Sequence, residues 1–130
     1  MKDETRVWLT YAEENLEAAQ LLLTQSLYNP CLQNVQQSIE KCLKALLLEK
    51  SNSSRKTHAI TELVRLLADD GINIRLQAED CDLLDSIYLP SKYPLGSVLP
   101  AFNPDDEICE HCLVLSKVVL EQVKQELGVV

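Results

Sequence analysis

The sequence is short of the residues that break helices or fill sheets. Its 130 residues include only 3 Gly, 5 Pro and 1 Phe. Alternation of apolar and polar residues, the sign of a half-buried strand, is hard to find. These shortages lean against a β-rich fold and towards an all-α one. No apolar run approaches the roughly 20 residues that a bilayer-spanning helix needs, so no membrane contact is expected. Cations are also scarce: 12 Lys and Arg against 20 Asp and Glu leave a net charge of −8. Such a chain repels phosphate backbones at long range, which disfavours non-specific nucleic-acid binding but leaves room for a local basic patch. Lys2, Asp3, Glu4 and Arg6 interrupt the N-terminus, so no signal peptide is expected ahead of the first helix. The cysteines, Cys31, Cys42, Cys81, Cys109 and Cys112, are odd in number. They read as reduced thiols of a cytoplasmic protein rather than as a disulfide framework.

What is present is helical periodicity. The length fits a single domain, residues 1–130, able to bury a core without staples. A first helix is expected from about Asp3 to Ser26, with Trp8, Tyr11, Ala12, Ala19, Leu22 and Leu23 at three- and four-residue steps and Asp3 or Thr5 as cap. Asn29 and Pro30 suit the cap and first position of a second helix that runs to about Lys50. After the polar loop Ser51 to Lys56, Thr57 can cap a third, shorter helix ending near Ala68, before Gly71. A fourth covers about Leu76 to Tyr88. Leu89 to Pro100, with three prolines and a glycine, reads as an irregular connector. Asn103, Pro104 and the acids behind them open a last helix that Gly128 stops after Leu127. The fold class is therefore an up-and-down antiparallel four-helix bundle with an additional short helix.

Two stretches carry chemistry-bearing residues. On a helical wheel the second helix puts Val35, Ile39, Cys42, Leu43 and Leu46 on one side, and Gln33, Gln36, Gln37, Glu40, Lys41 and Lys44 on the other. The polar stripe is either a solvated face held by i+3 and i+4 pairs or the lining of a groove. In "SSRKTHAITELVRLL", Ile60, Leu63, Val64 and Leu67 point inward and His58 outward, near a helix start whose unpaired N–H groups favour anions. His58 is thus either a surface histidine of a first turn or, with Arg55 and Lys56, a contact for a phosphate. The "CEHC" of Cys109 to Cys112 has no second ligand pair, and both cysteines fall on the core face with Leu115, Val119 and Val123. Core cysteines are expected, with no metal and no cofactor. The acidic runs read as exposed or as complements to helix dipoles, apart from Asp85, which could pair with Lys92 or His58 or cap a turn.

The ordered set "QQSIEKCLKALLLEK", "RKTHAITELVRLL" and "LLDSIYLPSKYP" resembles the HEPN domain family (higher eukaryotes and prokaryotes nucleotide-binding). The family pattern falls on Gln36, Gln37, Glu40, Lys41, Lys44 and Ala45, on Lys56, Thr57 and His58, and on Tyr93 and Pro94. Trp8 and Ala12 in the opening helix add to the likeness, which spans nearly the whole chain. It implies a five-helix bundle that usually forms a homodimer. It also implies one of three roles: a ribonuclease, often a toxin; a partner of a small nucleotidyltransferase protein in a toxin-antitoxin pair; or a nucleotide binder. Two departures count against RNA cleavage. No Arg precedes either histidine by four to six residues, and Lys92 stands where the family often has Arg before Tyr-Pro, losing the planar fork that holds a phosphate with two bonds.

The favoured expectation is a module binding a nucleotide or a nucleotidyltransferase partner through Gln37, Glu40, Lys41, Lys44, Lys56, His58, Lys92 and Tyr93. A metal-independent ribonuclease with His58 as its catalytic residue, acting on RNA, is the alternative. A structural bundle without a site is the third reading.

Overall fold

The computed structural model describes residues 1–51, 56–92 (the last four as backbone alone) and 103–129. Arg55, Tyr93, Pro94 and most of the expected connector lie outside the described residues, as does the side chain of Lys92. Five helices follow in order: α1 (Asp3–Thr24), α2 (Tyr28–Ser51), α3 (Ile60–Asp69), α4 (Ala78–Lys92) and α5 (Asp106–Leu127). No strand occurs among the described residues. The fold is the expected all-α bundle, with α3 as its short helix. No described helix is long and apolar enough to cross a membrane.

Helix α2 packs against each of the other four. Its central place explains its sequence. Cys31, Leu32, Val35, Ile39, Cys42, Leu43, Leu46 and Leu47 are all buried, and they cover far more than one helical stripe. α1 runs antiparallel to it. At one end the Lys2 N–H donates to Glu49 Oε1 (3.0 Å), Thr5 Oγ1 donates to the same oxygen (3.0 Å) and Lys2 Nζ donates to the Leu48 carbonyl (2.8 Å). At mid-length Ser38 Oγ donates to the Ala12 carbonyl (2.8 Å), and Ser116 Oγ from α5 donates to Ser38 Oγ (3.1 Å). Small hydroxyl residues let three helices approach there, and each described buried side-chain polar atom keeps a partner.

The helix ends correct several expectations. α1 buries Thr5, Leu9, Ala12, Leu16 and Ala19, while Tyr11 is half exposed, so the inward stripe is rotated from the expected one. Its N-cap is Lys2 and not Asp3 or Thr5. α2 starts at Tyr28, ahead of Pro30. A proline is tolerated there because first-turn N–H groups have no intrahelical acceptor. α3 starts at Ile60, so Thr57 is not its cap; the Thr57 hydroxyl accepts from the Ala59 N–H instead (3.1 Å). α4 starts two residues later than expected and continues through Pro90 to Lys92. α5 is capped by Asp105, whose carboxylate accepts from the Ile108 N–H (2.9 Å), and not by Asn103. The glycine stops hold: Gly71 and Gly128 sit at φ +83° and +71°. Both close Schellman turns, with Ile72 N–H donating to the Leu67 carbonyl and Val129 N–H to that of Lys124.

Candidate functional site

The polar stripe of α2 is not a solvated face. Gln36 is 1% exposed and Glu40 3%. They are buried because α3 and the segment before it lie over that side of α2. A buried carboxylate without partners is strongly unfavourable, so its surroundings decide what this corner is. Glu40 Oε1 accepts from Gln36 Nε2 (3.1 Å), and Oε2 accepts from Lys44 Nζ (2.9 Å) and faces His58 Nδ1 (3.0 Å). Gln37 Nε2 donates to Gln36 Oε1 (2.8 Å), which fixes the Gln36 amide with its donor end towards Glu40. Lys44 also lies over the Trp8 ring, 5.7 Å from its centre.

A carboxylate oxygen only accepts, so His58 Nδ1 must carry the proton in that contact. In the neutral ring Nε2 is then the acceptor. Nε2 has no protein partner among the described residues. The ring stacks on Tyr88 of α4, with centroids 4.8 Å apart and planes 15° from parallel. Thr57, His58, Ala59, Asp85 and Tyr88 line an open cavity of about 380 Å³. The described part of its wall is largely apolar.

Asp85 corrects the idea that the start of α3 offers free N–H groups to an anion. Its Oδ1 accepts from the Ile60 N–H (2.6 Å), and Oδ2 accepts from the Thr61 N–H (3.3 Å) and the Thr61 hydroxyl (2.7 Å). The helix N-terminus that would attract a phosphate is already occupied by a carboxylate from α4. Asp85 therefore caps a helix on another element, and pairs with neither His58 nor a local turn.

Of the residues expected to bind, Glu40, Lys44, His58 and Gln37 meet in this corner through Gln36, which the wheel placed on the right side but exposed. Lys41 faces away, towards α1. Its Nζ donates to Asn15 Oδ1 (2.8 Å) and lies 5.6 Å from the Tyr11 ring centre. Burial pulls its ammonium below the ordinary value, against the opposite pull of Glu40 and Glu14. Lys56 is exposed beside the groove in sequence. The side chains of Lys92 and Tyr93 lie outside the description. Tyr88 was missed as a site residue. The signal for it was available: an aromatic three residues after Asp85 on the same helix belongs to the same face.

The remaining titratable groups form no comparable cluster among the described residues. All five cysteines are buried. Burial pushes the Cys42, Cys109 and Cys112 thiols up to about 12, which leaves them unreactive at neutral pH. The core reading of "CEHC" holds. His111 is exposed, and its Nε2 contacts Asp80 Oδ1 (3.1 Å). Among the described residues no group of three or more His, Cys, Asp or Glu could hold a metal ion.

An all-α bundle with a histidine held by a buried carboxylate beside an aromatic groove is the class these observations define. A family model for the HEPN domain matches residues 5–126, and the chain belongs to the HEPN domain family. Among solved structures it is similar to TT1696 from Thermus thermophilus, at 28% identity over 96% of this chain and 99% of that one, with a TM-score of 0.77. It is also similar to ST0689, an archaeal HEPN homologue, at 25% identity over 96% and 98% of the two chains, with a TM-score of 0.71. No curated protein matches.

Proposed function

We propose that this protein is a HEPN-type binding module whose groove at His58 and Tyr88 holds a nucleotide, free or presented by a nucleotidyltransferase partner. The observation that carries this reading is the stacked pair of rings at a cavity, with the His58 ring fixed in place by buried Glu40. Stacked rings offer a platform for any nucleobase, and a pre-set ring loses little freedom on binding. A toxin-antitoxin pair is one setting for such a partner, and the module is proposed to work as a homodimer. Native mass spectrometry of protein purified gently from its own host tests this. Retained nucleotide, or a stoichiometric complex with a nucleotidyltransferase-like protein, is the expected result. A homodimer that carries nothing and takes up no nucleotide would sink it.

A second reading is favoured by the contact between Glu40 and His58. A carboxylate that holds Nδ1–H leaves Nε2 poised as a base, which could take the proton of an RNA 2′-hydroxyl. Cleavage also needs groups that stabilise the charged phosphorane. The described residues facing the groove supply instead the carboxylate of Asp85, so this reading ranks second. RNA cleavage that is lost in folded His58→Ala would promote it.

A further inference from the structure

We infer that the groove grips its nucleotide by the base and leaves the phosphate outside. This rests on the proposed nucleotide-binding function and specifies which part of the ligand the site reads.

Three observations carry the inference. The first is the seat of Asp85. Among the described residues, the N-terminus of α3 is the feature of the groove that would draw a phosphate, and both Asp85 oxygens already occupy it. A phosphate brought into the groove would find that seat taken and meet the like charge of Asp85. The second is that no Lys or Arg is among the described residues lining the groove, and the cation behind it is withdrawn. Lys44 lies beneath the surface, its side chain 11% exposed, with its ammonium committed to Glu40. It neutralises the carboxylate and is not offered to the solvent side. The third is the wall. Tyr88 and His58 are already parallel, so a flat, uncharged ring can continue their stack, and His58 Nε2 is left to exchange a hydrogen bond with the polar edge of that ring. A cavity of about 380 Å³ is at the small end of the range for small-molecule sites, enough for a base and its sugar. A nucleobase meets the stack without charge repulsion; a phosphate does not.

The test is a calorimetric comparison of the four ribonucleosides, their 5′-monophosphates and inorganic phosphate on the intact protein. At least one nucleoside is expected to bind, with its monophosphate within about threefold of it and little change with added salt. Inorganic phosphate is expected not to compete. Tyr88→Ala should weaken nucleoside binding by at least about fivefold, and Tyr88→Phe should keep it, since the ring is what stacks. A monophosphate that binds more than about tenfold tighter than its nucleoside, and is displaced by inorganic phosphate, would overturn the inference while keeping nucleotide binding. Failure of every nucleoside and monophosphate to bind would overturn the inference and remove the free-nucleotide form of the proposed function with it. Unchanged nucleoside binding in folded Tyr88→Ala would place the site elsewhere and overturn it too.

Discussion

The two histidines of this chain look alike in isolation and differ in what surrounds them. His58 and His111 are 50% and 52% exposed, and each meets a carboxylate, at 3.0 and 3.1 Å. The carboxylate at His58 is Glu40, its side chain 4% exposed and shared with Lys44 and Gln36. The carboxylate at His111 is Asp80, 18% exposed, in a pair that bridges α4 and α5. His58 is stacked on a ring and lines a cavity; among the described residues His111 stacks on no ring. A histidine–carboxylate contact gains a fixed geometry when buried neighbours hold both partners. The same contact at a more exposed helix seam remains a weak surface contact.

The contrast can be broken, and the largest effect is expected at Glu40. Glu40→Ala strips a buried ion pair of its acid and leaves the Lys44 ammonium without its carboxylate, so a loss of about 3–5 kcal/mol is expected in urea unfolding. Asp80→Ala at the other histidine should cost no more than about 1 kcal/mol. Equal losses would erase the distinction. Next comes Asp85→Ala, which removes the cap of α3 from across the bundle. It should cost about 1–2 kcal/mol and speed hydrogen exchange at the Ile60 and Thr61 amides. Thr57→Ala, the cap suggested by the sequence, should cost less than about 0.5 kcal/mol. The coupling of His111 to Asp80 is also expected to be small. A double-mutant cycle at about 0.1 M salt should give no more than about 1 kcal/mol, falling towards zero at about 1 M.

The last prediction concerns Glu49, an acid outside both histidine pairs. The Lys2 N–H that it accepts, helped by the Thr5 hydroxyl, holds its carboxyl below the ordinary value of 4.5, against a smaller opposing effect of burial. A depressed folded value adds stability that is present above about 4.5 and lost as pH falls through the folded value. Thermal melts of Glu49→Gln should therefore show a shallower acid limb than the parent. An unchanged limb would assign acid sensitivity to other carboxylates.

How much of this was legible in the sequence depended on how many neighbours a helix has. α3 lies at the surface, so its single apolar face, Ile60, Leu63 and Leu67, could be read directly from three- and four-residue spacing. α2 has neighbours on several sides, and a wheel that assumes one buried face must place Gln36 and Glu40 in water. Their burial was unreadable because it depends on the segment before α3 folding back over them. The caps failed for a related reason. Asn29, Thr57 and Asn103 are all good local caps, yet the start of α3 is served by Asp85, 25 residues further on. Glycine stops need no partner from afar, and Gly71 and Gly128 were placed correctly. The acids of the site were visible as residue types, but the pairing of His58 with Glu40 and Tyr88 is a tertiary fact.

The cap that α4 lends to α3 also sets a schedule. A ten-residue helix without a cap of its own is marginal in water. While the chain is being made, residues 60–69 emerge before the aspartate that secures them and before the ring on which His58 rests. Until Tyr88 has left the ribosome, α3 has neither its stabilising carboxylate nor a finished groove beside it. A nascent chain stopped short of that point holds Glu40, Lys44 and His58 but lacks the ring and the carboxylate that complete the groove. The groove of His58 and Tyr88 is therefore complete only when the fourth helix arrives.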